Sequence, residues 1–118
     1  MQIKVKRIYA PTETQDGYRV LVDRLWPRGV SKADARIDYW WKDAAPTPAL
    51  RGWFNHEPPK WEVFKRRYFA ELEANEKVLT TFVEEMGNRR VTFLYAAQNE
   101  EQNNALALKE YLENRDAD

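Results

Sequence analysis

The chain has 118 residues and a mass of 14.1 kDa, the length of one domain, and its 43% apolar and 32% charged residues exclude a disordered chain. Nineteen basic residues balance nineteen acidic ones, which excludes a strongly basic nucleic-acid wrapper and an acidic tail protein. With no cysteine, disulfides, a thiol nucleophile and a Cys-based zinc site are excluded as well.

No apolar run approaches the ~20 residues of a membrane span. The basic start, Met1 to Arg7, lacks the apolar core of a signal peptide, so a cytoplasmic location is expected. Charge is uneven along the chain. Residues 1–59 carry ten Lys/Arg against seven Asp/Glu, and residues 60–118 carry nine against twelve. A positive site in the first half and solvated acidic helices in the second would produce this pattern.

In chain order, Ile3-Lys4-Val5-Lys6 alternates apolar and polar, which predicts a strand with one solvated face at a sheet edge. Pro11 to Gly17 is polar and turn-rich, hence a loop. Tyr18 to Leu25, with Val20-Leu21-Val22 at its centre, predicts a strand buried on both faces. Thr47-Pro48 has the form of an N-cap followed by a first-turn proline and opens a short helix through Trp53. After Pro58-Pro59, the residues Trp61, Phe64, Tyr68 and Leu72 recur at helical spacing. Asn75 is placed to cap a further helix, which carries Val78, Leu79, Phe82, Val83 and Met86 and stops at Gly87. Val91 to Ala97 predicts a second doubly buried strand. Asn99 to Gln102 has the form of a capping box opening a last helix, with Leu108 and Leu112 on its apolar face, that runs to about Asn114. Buried strands mixed with helices predict an α/β fold: one small domain over residues 1–118, with a mainly parallel sheet of about three strands flanked by helices.

Four stretches could carry chemistry. Asp23-Arg24-Leu25-Trp26-Pro27-Arg28-Gly29 follows a buried strand, and in open α/β sheets ligands bind beyond the carboxyl ends of the strands. Asp23 could orient a cation or act as a base. Arg24 and Arg28 offer planar donor forks for phosphate or carboxylate. The competing reading is an Asp23–arginine ion pair that pins the loop. Tyr95 to Asn104 leads from a strand end into a helix N-terminus, a natural anion site in which Ala96 and Ala97 leave room for a ligand. Here simple capping by Asn99 competes, and Glu100-Glu101 would oppose an anion. The third stretch, Arg51 to Pro58, contains His56, the one histidine and the natural acid/base candidate. A single histidine with no cysteine disfavours zinc, and no metal ligand is assigned. No Ser-His-Asp signature, P-loop or GxGxxG occurs, so no cofactor is identified.

The fourth stretch is the tryptophan cluster, Trp26, Trp40, Trp41, Trp53 and Trp61, all in one segment. Trp61 belongs to a core stripe. Trp40 and Trp41 are adjacent and cannot share a face, so one of them is partly exposed. Trp26 and Trp53 flank the candidate site and are its ligand-facing aromatics.

The motifs resemble a known family. Asp16 to Gly29 closely resembles the hallmark stretch of the YeaO-like family, domain of unknown function 488. So do Ala45-Pro46 through Leu50-Arg51 to Trp53-Phe54, with Trp61 to Phe64, and Leu94 to Ala97 with Asn103, Ala105 and Leu108. The resemblance covers nearly the whole chain. It implies a compact bacterial α/β domain without an assigned reaction, and a shared pocket marked by Arg7, Tyr18, Asp23, Arg24, Trp26, Arg28 and Asn103. Many members carry an acidic residue and a histidine where this chain has Asn99 and Gln102, which argues against hydrolysis or metal chemistry here.

These observations converge on a site for a small anion, a nucleotide or phosphorylated metabolite, at the strand ends. Asp23 and His56 are the acid/base candidates, and Arg7, Tyr18, Arg24, Trp26, Arg28, Trp53, Tyr95, Asn99 and Asn103 are the binding residues. Whether the chain is an enzyme stays open. The alternatives are a nucleic-acid-binding or regulatory module, which the neutral charge disfavours, and a protein-interaction domain using exposed tryptophans.

Overall fold

The computed structural model describes residues 1–116. Its centre is a four-stranded, wholly parallel sheet: β1 (Gln2–Arg7), β2 (Tyr18–Leu21), β3 (Tyr39–Trp40) and β4 (Arg90–Tyr95), in the order β1-β4-β2-β3. Five helices complete it: α1 (Lys32–Ala35), α2 (Pro48–Phe54), α3 (Trp61–Ala74), α4 (Glu76–Met86) and α5 (Asn104–Asp116). This is an α/β fold. The two apolar runs become the two inner strands, and the alternating β1 lies at an edge.

The two faces of the sheet are covered unequally. Val91 and Phe93 of β4 join Val20 and Val22, Trp41 and the buried stripes of α3, α4 and α5 in one large core. Trp61, Phe64, Tyr68 and Leu72 of α3 all point into it, as their helical spacing predicts. Trp41 stacks on Phe82 with ring centroids 4.0 Å apart. The Tyr68 hydroxyl donates to the Ala44 carbonyl at 2.5 Å, which satisfies a polar atom deep in the core. On the opposite face a smaller cluster forms under the loop after β2 and α1: Ile8, Leu21, Ala35 and Leu94 pack there with Trp26, Val30, Ile37 and Trp40.

Local signals worked where the partner was local. The Thr47 hydroxyl accepts from the Leu50 N–H, with Pro48 in the first turn of α2. Gly87 ends α4 with φ 55°. Four expectations need correction. The sheet has a fourth strand, β3, whose two residues are too short to leave a periodicity. Strand β2 ends at Leu21 rather than Leu25, because the chain turns away to build the loop over the second face. The Asn75 side chain does not cap α4; its amide donates to the Asp43 carbonyl, while its backbone carbonyl accepts from Val78 and Leu79. Helix α5 starts at Asn104, not at Asn99. The Asn99 side chain accepts from the N–H groups of Glu101 and Gln102, which closes a turn in the loop. Asn103 caps the helix, its Oδ1 accepting from Leu106 N–H.

Candidate functional site

At the carboxyl end of the sheet the chain leaves β2 toward β3, while it leaves β4 toward α5, which packs over β1, β4 and α3. The two connections diverge between β2 and β4, and it is at such a place that open α/β sheets bind ligands in a crevice. Asp23 stands at this point. The backbone ladder ends where Val22 N–H donates to Leu94 O at 3.1 Å. The next N–H along β4, that of Ala96, donates to Asp23 Oδ2 at 2.9 Å. The other oxygen, Oδ1, accepts from Asn104 Nδ2 at 3.1 Å, and the same amide donates to Val22 O at 2.9 Å. The indole N–H of Trp40 donates to the Asp23 carbonyl at 2.7 Å. Asp23 thus joins the ends of two strands to the first residue of α5.

No cation forms an ion pair with this carboxylate among the described residues. Burial raises the Asp23 pKa above the ordinary carboxylate value. The Ala96 N–H, the Asn104 amide and the electrostatic pull of the Arg51 guanidinium offset that only in part. Each oxygen has one donor and keeps an acceptor position open. Arg51 and His56 are exposed, and neither side chain makes a hydrogen bond or ion pair among the described residues.

The other expected site residues are distributed as follows. Arg7, at the end of β1, donates from Nε to Ala97 O at 2.9 Å and from Nη2 to Ala96 O at 3.4 Å, so it braces the strand β4 exit. Arg24 is engaged in the same way, with Nε on Pro46 O at 3.3 Å and Nη2 on Ala45 O at 3.2 Å. Arg28 is exposed, and its carbonyl accepts from the Tyr9 hydroxyl. Tyr95 is buried in the large core, where burial raises its pKa. Asn103 is buried, its amide donating to Asn99 O and its carbonyl oxygen capping α5. Asn99 is exposed in its turn. Tyr18 begins β2, in register with Val91, and so lies at the opposite end of the sheet from Asp23.

The tryptophans do not form a stacking surface. Trp41 and Trp61 are buried, and Trp26, Trp40 and Trp53 are half-buried. The Trp26 N–H donates to Val30 O at 2.6 Å, and its ring packs edge-on to Trp40 with centroids 5.3 Å apart. The Arg67 guanidinium lies over the Trp53 ring at 4.3 Å and Lys60 at 5.1 Å. The large exposed apolar residues are Tyr9, Leu25 and Tyr39, so an interaction surface of exposed tryptophans is not present.

Asn104, which bonds Asp23, and Arg51, whose charge acts on the Asp23 pKa, were not among the expected site residues. Asn104 sits beside Asn103 in the polar run after β4, and Arg51 opens the stretch that contains His56. Nothing local separates Asn104 from Asn103; only the tertiary position shows that Asn103 caps and Asn104 reaches across to β2. Two surface depressions lie elsewhere, one of about 530 Å³ between α3, α4 and α5, and one of about 450 Å³ at the amino end of the sheet. Neither includes Asp23, Arg51 or His56. No group of three or more His, Asp or Glu side chains gathers as a metal site among the described residues. No helix is long and apolar enough to cross a membrane.

Comparison with known proteins matches the sequence of this chain to one family. The chain is 42% identical over 112 residues to "Uncharacterized protein YeaO" of Escherichia coli K12, covering 95% of this chain and 97% of that protein. It is 36% identical over 114 residues to "Uncharacterized protein Mb3100c" of Mycobacterium bovis and to "Uncharacterized protein Rv3073c" of Mycobacterium tuberculosis, each time covering 97% of this chain and 96% of the relative. No solved structure matches it. A family description, "Inactive DUF488-N3 subclade", matches residues 2–118, and the chain belongs to this YeaO-like DUF488 family.

Proposed function

We propose that the crevice at the carboxyl ends of β2 and β4 binds a small anionic molecule, a nucleotide or phosphorylated metabolite, and does not turn it over. One observation carries this reading. Arg51 and His56 follow Asp23 in the chain on and just after α2, both are exposed, and neither side chain makes a hydrogen bond or ion pair among the described residues, so their donors are available to a ligand. Ala96 and Ala97 keep the crevice wall small, and Arg7 and Arg24 add fixed positive charge at its rim. In this reading the anion sits on Arg51 and His56, Arg28 contributes from the outer loop, and Asp23 accepts a donor from the ligand.

Two facts favour binding over catalysis. The family description reads "inactive". The loop positions after β4 carry Asn99 and Gln102 rather than an acid and a histidine, and Asn99 is engaged in closing a turn. The protein is expected to act in the cytoplasm.

Thermal melting against a panel of nucleotides and sugar phosphates tests the reading. A bound anion at 100 times its Kd should stabilise the fold by about 2.7 kcal/mol, which is several degrees of melting temperature. The shift should vanish in Arg51→Ala. No shift with any anion, in a protein whose Arg51→Ala variant melts like the parent, would overturn it.

A further inference from the structure

The second face of the sheet changes character along its length. Side chains alternate along a strand, and the register pairs Gln2 with Arg90, Lys4 with Thr92 and Lys6 with Leu94, so these residues share one face. Arg19 and Leu21 of β2 join it beside Thr92 and Leu94. Toward the carboxyl end, Leu21 and Leu94 pack under the loop after β2. Toward the amino end the same face is polar, and a hollow of about 450 Å³ opens there between β1, β4 and the turn before β2. Its polar lining is Gln2, Lys4, Gln15, Asp16 and Arg90.

The ion pairs in this region leave two cations over. Buried Asp16 takes its close contacts from Arg19 Nη1 at 2.5 Å, the Glu13 N–H at 3.0 Å and Lys6 Nζ at 3.1 Å, and Lys6 also donates to Glu13 Oε1 at 2.7 Å. Lys6 and Arg19 thus neutralise the two carboxylates. Lys4 Nζ reaches Asp16 Oδ1 only at 3.5 Å, the longest contact of the set, and its side chain is 46% exposed. The Arg90 guanidinium and the amides of Gln2 and Gln15 make no hydrogen bond or ion pair among the described residues. An edge-strand lysine also keeps a sheet from pairing with another chain, but Arg90 belongs to the inner strand β4 and has no such role. The wall of the hollow is fixed. The Thr92 hydroxyl donates to Asp16 O at 2.7 Å, and Gly17 packs against the Arg90 backbone where a Cβ would clash.

We propose that this hollow is a second anion site, for a small dianion carrying a phosphate group, held by Lys4 and Arg90 with the Gln2 and Gln15 amides as flanking donors. The site lies at the opposite end of the sheet from Asp23 and does not rest on the reading of the strand-end crevice. The guanidinium supplies a planar fork to two oxygens, and the ammonium supplies a point charge to a third. Asp16, saturated by its own donors, shapes the hollow without repelling the ligand as a bare carboxylate would.

Amide chemical shifts of the full chain, titrated with inorganic phosphate and with chloride at equal ionic strength, test the proposal. Phosphate should produce saturable shifts at Gln2, Lys4, Gln15 and Arg90 that chloride does not. The double variant Lys4→Gln, Arg90→Gln should bind phosphate at least about tenfold more weakly, because two charge-assisted contacts are lost. Both side chains are exposed, so this variant should melt like the parent. Lys4→Arg keeps the charge and should keep the affinity, and Arg51→Ala should leave these shifts unchanged. Phosphate shifts no different from those of chloride, or an affinity that survives the double variant, would overturn the site. Shifts confined to the ends of β2 and β4 and abolished by Arg51→Ala would overturn it too, while supporting the crevice reading.

Discussion

Two aspartates bracket β2, and they are buried in opposite ways. Asp16, before the strand, accepts from Arg19 Nη1 at 2.5 Å, from Lys6 Nζ at 3.1 Å and from Glu13 N–H at 3.0 Å. Arg19 is itself buried, and its remaining donors reach the carbonyls of Arg36 at 3.1 Å and Ala35 at 3.0 Å. Burial alone would raise the Asp16 carboxyl. The Glu13 N–H, Lys6 and Arg19 more than reverse that and bring its pKa down to about 2. Asp23, after the strand, has only an N–H and an amide on its oxygens, and its pKa is raised. One end of β2 holds a charge that the fold itself neutralises. The other holds a charge whose compensation within the chain is incomplete. A buried ionisable group in a structural role and one in a candidate binding role are thus told apart by their partners, not by their burial.

The comparison can be broken most severely at the Asp16 end. A Cβ on Gly17 would clash with the Arg90 carbonyl oxygen, on a backbone with φ 65°. Gly17→Ala should therefore cost about 4 kcal/mol or more, since both the clash and the dihedral oppose it; urea unfolding reads this directly, and a loss under about 1 kcal/mol would show that the strand can shift. Asp16→Asn leaves Arg19 buried beside a neutral group and should cost about 3–5 kcal/mol. If it costs no more than an ordinary surface change, the cluster is not what holds the loop before β2.

The pH dependence sharpens the contrast, because the two carboxyls act with opposite sign. Asp16 has its folded pKa below the unfolded value, so its contribution is present above about pH 4 and is lost as pH falls toward about 2. The shift corresponds to about 2 kcal/mol. Asp23 has its folded pKa above the unfolded value, so its protonated form favours the fold and the penalty grows as pH rises through that folded value. Unfolding free energies measured from pH 7 to pH 2 should thus fall steeply at the acid end in wild type. The fall should be smaller in Asp16→Asn and preserved in Asp23→Asn.

Asp23→Asn itself should change stability at pH 7 by only about 1 kcal/mol. It removes a poorly compensated charge but sets an amide against the Ala96 N–H or the Asn104 amide. Its larger effect should be on anion binding. The smallest effect belongs to Arg28→Ala, an exposed loop position, which should stay within about 0.5 kcal/mol in denaturant titration. A larger loss would mean that the Tyr9–Arg28 contact organises the loop over the second face.

Much of this molecule was legible as sequence because its signals were local. The runs at Val20–Val22 and Val91–Tyr95 are apolar on both sides, so the chain must bury them between layers, and they form the two inner strands. The α3 stripe repeats at the helical period, and all four of its large residues enter the core. Thr47-Pro48 and Gly87 mark helix ends through bonds to their own neighbours. The resemblance in Asp16 to Gly29 pointed to a shared functional stretch, but it could not say that Asp16 and Asp23 sit at opposite ends of one strand with opposite electrostatics.

What only the tertiary structure decided rests on partners far away along the chain. Ala96 N–H reaches Asp23 across 73 residues, Asn104 across 81, and Arg7 reaches the Ala97 carbonyl across 90. The paired residues carry no mark of one another, so a pattern of 2 or 3.6 residues cannot register them. The same holds for the tryptophans. Their number and their segment are plain in the sequence, but which indoles are buried was decided by the helices and the loop that pack onto the sheet. Burial pattern is a property of one segment, whereas charge compensation is a property of the segments that meet, and the strand-end crevice is made of the second kind.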